Sequence, residues 1–148
     1  MSVLVFIETK GKISKAAKEA VTYGSKIGTT TVVTFGDADA ASLASIGDNG
    51  ATKVMVCREL NEGNDQQLTK LIAAAANDCG ADAIIVSQDQ LGKAVGPRVA
   101  ANLEAGHVSG AISIPDTSSG FVVKTNVFSG KAFANVSVNT PKKVISLL

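Results

Sequence analysis

The chain has 148 residues, 45% of them hydrophobic but only 4% aromatic, and a formal net charge of +1. That length suits one domain with a full core, and a core of Val, Ile, Leu and Ala favours a helix-covered parallel sheet over an aromatic-rich sandwich. The balanced charge, without a basic run, excludes a nucleic-acid face, and no stretch approaches the roughly 18 apolar residues of a membrane span.

Strand and helix signals alternate through the first two-thirds. Val3–Ile7 reads as a strand, and Met1–Glu8 lacks the basic start of a secretory signal. Ser14–Ile27 reads as a helix, capped by Ser14 and ended by Gly28. The β-branched run Thr30–Phe35 is a second strand. Gly36-Asp37 then turns the chain into a short Ala-rich helix, Ala38–Ile46, with Asp37 as its cap. Thr52–Val56 is a third strand, and Asp65–Cys79 is an amphipathic helix with Leu68, Leu71, Ile72 and Ala75 on one face. Ala83–Val86 is a fourth, buried strand. A polar loop, Ser87–Gln90, and a further helix with Val99, Ala100 and Leu103 inward follow it. After Gly106 the helical period disappears. Val108–Ile114, Gly120–Phe128, Ala132–Asn139 and Lys142–Leu147 are strand-like, and predict a β-meander or hairpin extension of the same sheet.

Several residues invite a chemical reading. Gly96-Pro97 suits the start of a helix, where free N–H groups flanked by Lys93 and Arg98 would make an anion site. The competing reading makes both surface cations, with Arg98 paired to a carboxylate such as Asp89. Gly92-Lys93 lacks the upstream Gly and the Ser/Thr of a phosphate loop, and Thr9-Lys10-Gly11-Lys12 has no phosphate fingerprint. Asp37 and Asp39 could hold a ribose or a cation, or simply cap a helix. His107 is the only histidine, so it makes no His-based metal site, and no Ser/His/Asp arrangement is recognisable. Ser129-Gly130-Lys131 lies between two β runs and reads as a hairpin turn. Cys57 and Cys79 lack metal or redox spacing and read as reduced small hydrophobes. No catalytic, cofactor-binding or metal-binding residue is therefore assigned.

The block Gly80-Ala81-Asp82, Gly92-Lys93, Pro97-Arg98, Ala100 and Leu103 resembles the N-terminal domain of the electron-transfer flavoprotein α subunit. Val3–Glu8, Glu19-Ala20, Tyr23-Gly24, Gly50–Val54 and Ser129–Ala132 resemble further segments of that family, in the same order. The resemblance implies an α/β fold: a mostly parallel, Rossmann-like sheet of the adenine nucleotide α-hydrolase type, with helices on both faces and a β-rich C-terminal extension. It implies a single domain over residues 1–148, an electron carrier's subunit and no enzyme. Such proteins are αβ heterodimers that take electrons from dehydrogenases, acyl-CoA dehydrogenases among them, hold them on FAD and pass them on, in many cases to a membrane quinone reductase. FAD is expected mainly on the α subunit's C-terminal domain, outside this segment, and AMP on the β subunit. Lys93 and Arg98 are then architectural.

The apolar ending Val144–Leu148 suggests an N-terminal piece of a longer chain. A cytoplasmic or mitochondrial-matrix location follows from the resemblance. So does a scaffold role, with the β subunit as partner and no membrane insertion. The expected contact surface is Val108–Val138, through Phe121, Val123, Val127, Phe128 and Phe133. Two other readings stand beside this one: a free-standing module binding AMP or ATP over the ends of strands one, two and four, and an interaction domain unrelated to electron transfer.

Overall fold

The computed structural model describes residues 1–10, 12–60 and 62–148. Eight strands form one sheet: β1 (Ser2–Phe6), β2 (Thr29–Phe35), β3 (Ala51–Cys57), β4 (Ala83–Ser87), β5 (Gly106–Ala111), β6 (Val122–Val127), β7 (Ala132–Ser137) and β8 (Lys143–Leu147). Their order across the sheet is β3-β2-β1-β4-β8-β5-β6-β7. Every neighbouring pair is parallel except β5·β6 and β6·β7. The architecture is thus the expected mostly parallel α/β sheet. The last strands depart from a meander in chain order, because β8 inserts between β4 and β5 and pairs with both in parallel. Its run Val144-Ile145-Ser146 is buried on both faces, which a central position demands of a strand.

Strand alternation builds two cores. Val3, Val5, Ile85 and Ile145 face one side and meet Ala17, Ala20 and Val21 of helix α1 (Lys15–Ile27). Leu4, Phe6, Ile84, Val86 and Val144 face the other. They meet Leu68 and Ile72 of α3 (Asp65–Cys79) and Val95 and Val99 of α4 (Gln90–Leu103). Each fully buried aliphatic side chain contributes about 1.5–3 kcal/mol. The central strands, apolar at successive positions, therefore fix helices on both faces.

Helix ends follow local chemistry. Ser14 caps α1, accepting from the Ala17 N–H at 3.1 Å. The short α2 (Ala40–Ser45) starts two residues later than the sequence suggests, so Asp39 rather than Asp37 is its cap, accepting from Ser42 N–H. That bond holds the Asp39 carboxyl below the usual carboxylate range. A 3-10 turn, Ile46–Asn49, follows α2 and ends at left-handed Gly50. Asn64 and Gln67 form a reciprocal capping box at α3.

The largest correction concerns α4. It starts at Gln90 and contains Pro97, so Gly96-Pro97 is not its entrance. Asp89 is the cap, accepting from the Gly92 N–H at 2.7 Å. Both glycines are there for contact. A Cβ on Gly92 would run into the Ser87 carbonyl oxygen, and one on Gly96 would lie 2.9 Å from Ser146 Oγ and 3.2 Å from His107 Nε2. Pro97 sits on the exposed side, where the carbonyl it leaves free can bond water.

Candidate functional site

Strand order reverses at β1, with β2 and β3 on one side and β4 on the other. The carboxyl ends of β1, β2 and β4 therefore open a crevice at the position where such sheets bind ligands. Its volume is about 660 Å³. Glu8, Glu62, Asp65 and Asp89 line it with Lys10 and Phe35, so carboxylates outnumber the one cation. Phe35 stacks on Phe6, ring centroids 6.3 Å apart. Burial, and then the charge of Asp89, push the Glu8 carboxyl up, while Lys10 draws it down. Gly11, in the first loop, lies outside the described residues.

A nucleotide or flavin dinucleotide brings a phosphate chain, which needs free N–H donors and cations. Here the α4 entrance spends the Gly92 N–H on Asp89, and the α3 entrance spends the Gln67 N–H on Asn64. Asp89 also places a negative charge where a phosphate would sit. The acidic lining and the two capped entrances oppose a phosphate chain in this crevice. Lys93 and Arg98 are not brought together as an anion site: Lys93 lies exposed in the first turn of α4, beside the Asp89 cap, and Arg98 lies exposed in mid-helix. Arg98 makes no ion pair with Asp89: Lys15–Glu19 is the one ion pair among the described residues.

The remaining candidates are structural. Asp37 and Asp39 assemble no binding pair, and Arg58 spans their loop by donating to the Gly36 and Ala38 carbonyls. Cys57 ends β3 and Cys79 ends α3, both as free thiols. No group of His, Cys, Asp or Glu suited to a metal ion occurs among the described residues. Ser129-Gly130-Lys131 lies in the β6–β7 turn, as expected. No helix is long and apolar enough to cross a membrane.

His107 has a partner the sequence does not reveal. Its Nε2 lies 2.9 Å from the Oγ of Ser146, on neighbouring strand β8. Ser146 is 1% exposed and His107 is half-buried. Burial lowers the His107 pKa from its ordinary value. The folded state therefore binds this proton less readily than the unfolded one. The associated stability is fully present above the unfolded value of about 6.5 and is lost as pH falls through the lower folded value. Urea midpoints of the wild type should fall across that window, and His107→Gln should flatten this component. An unchanged slope in the variant would assign the pH dependence elsewhere.

The expected contact residues divide. Phe121 and Val123 are buried, 5% and 0% exposed, and belong to the core beside Val108 and Ile145. That corrects their assignment to an outer surface. Val127, Phe128 and Phe133 are exposed at 40%, 76% and 60%. Alternation turns Val123 and Thr125 of β6 inward, and Phe121, two residues before Val123, falls on the same side, while the Val138 N–H bonds its carbonyl.

Comparison with known proteins agrees with the fold. The family model of the electron transfer flavoprotein domain matches residues 3–148. No curated protein matches the chain.

Proposed function

The chain belongs to the electron transfer flavoprotein domain family, and from that premise we propose that it is the N-terminal domain of an α subunit. Its role there is to support the subunit assembly, not to carry out chemistry. Members of this family carry electrons. The proposed complex takes them from dehydrogenases such as acyl-CoA dehydrogenases, holds them on FAD bound outside this segment and pairs this chain with a β subunit. The ordered block from Gly80 to Leu103 favours the α assignment.

The observation that carries the scaffold reading is the switch-point crevice. Its helix entrances are capped by the chain's own side chains, and its walls are acidic. The same observation opposes a free-standing adenine-nucleotide module.

Titration of the purified chain with FAD and with AMP tests the proposal. A ligand held at ~100 times its Kd should stabilise a binder by roughly 2.7 kcal/mol. Neither ligand should shift the melting temperature, and the protein should purify colourless. Stoichiometric flavin on the chain alone, or an AMP shift abolished by Lys93→Ala, would overturn the proposal.

A further inference from the structure

The β6–β7 hairpin ends in an apolar, cationic surface. Phe128 and Phe133 are 76% and 60% exposed. Each ring has a lysine over it: Lys131 Nζ lies 5.5 Å from the Phe128 centroid and Lys124 Nζ 4.3 Å from that of Phe133. Asp116 is the last acidic residue of the sequence, and residues 117–148 hold four lysines and no Asp or Glu.

The backbone adds an independent sign. Phe128 has φ +53°, Ser129 +53° and Gly130 +79°. Left-handed conformation suits Gly or Asn and strains a bulky side chain. Phe128 is thus both strained and wetted, and the backbone bonds that close the turn, from Gly130 N–H to the Val127 carbonyl and from Lys131 N–H to that of Phe128, leave the Phe128 ring in solvent. Such positions cluster at binding sites, where a partner supplies the compensation.

We propose that this hairpin end docks into an acidic protein face with an apolar recess. Phe128 and Phe133 enter the recess, and Lys124 and Lys131 pair with the carboxylates around it. A two-fold contact of this hairpin with the same hairpin of a second copy would bring lysine against lysine, which like-charge repulsion disfavours. The exposed neighbours Asn126, Ser129 and Asn135 offer hydrogen bonds suited to a protein rim. The inference rests on the subunit reading, which makes the β subunit the partner.

The test is calorimetric titration of the full chain with the β subunit of the same flavoprotein, at low and at high salt. Wild-type binding should weaken as salt rises. Phe128→Asn should weaken it by about tenfold or more without lowering the melting temperature, because asparagine accepts the left-handed turn. Lys124→Glu combined with Lys131→Glu should weaken it comparably and slow association. If wild type binds and both variants bind equally well, the docking surface is wrong and the subunit reading stands. If wild type does not bind, the subunit reading fails and takes the inference with it. A fall in melting temperature for Phe128→Asn would make the residue structural. Wild-type binding to phosphatidylserine vesicles, lost in the same variants, would replace the acidic protein with a membrane.

Discussion

Phe121→Asp should leave the domain unfolded or barely stable, whereas Phe128→Asp should fold as the wild type does. The two phenylalanines are seven residues apart on one hairpin, yet one is 5% exposed and the other 76%. Losing the buried ring costs about 3–5 kcal/mol, and desolvating an unpaired carboxylate adds several more. That sum removes most or all of a total stability of about 5–15 kcal/mol. At position 128 the replacement is a surface change, within roughly 0.5 kcal/mol of neutral. Circular dichroism and urea melts of the two variants decide it. A folded Phe121→Asp would return that ring to the surface.

That contrast marks where sequence reading stops. The central strands were legible because a strand buried on both faces must be apolar at successive positions, as Val3–Ile7 and Ala83–Val86 are. The edge hairpin alternates, and alternation alone does not say which face meets a core. Phe121 and Phe128, at an odd spacing, fall on opposite faces, and the core lies on the Phe121 side. The α4 entrance was misplaced because Gly96-Pro97 carries the local signal of a helix start. The glycine is instead required by Ser146 and His107, which lie in strands distant along the chain. The His107–Ser146 bond joins residues 39 apart and leaves no local pattern. At the crevice, the acidic residues were visible singly, but only the strand order brings Glu8, Glu62 and Asp89 together.

Gly92→Ala is expected to destabilise the domain by about 3 kcal/mol or more, by overpacking against backbone that cannot swing aside. The added methyl would occupy the space of the Ser87 carbonyl oxygen. Relief requires moving α4 off β4, which also stretches the Asp89 cap at Gly92. Gly47→Ala is the control. Its methyl would meet nothing within 4 Å, so the change should be neutral or stabilise by roughly 0.4–1 kcal/mol through the unfolded chain. Paired denaturant melts measure both. A Gly92→Ala variant as stable as wild type would mean that α4 approaches β4 less closely than described.

The insertion of β8 bears on how the chain emerges from the ribosome. Strands β3, β2, β1 and β4 can pair as they appear, and β5, β6 and β7 can form their own antiparallel unit. No strand joins the two groups until β8 arrives, and its first pair, Ala83 with Lys143, spans sixty residues. Until then the nascent sheet has two inner edges, at β4 and β5, with unpaired backbone groups and apolar side chains. Such edges are open to pairing with other chains. The closing strand comes last and bonds both edges at once, so the sheet completes in a single late step. Its long loop makes that step slow.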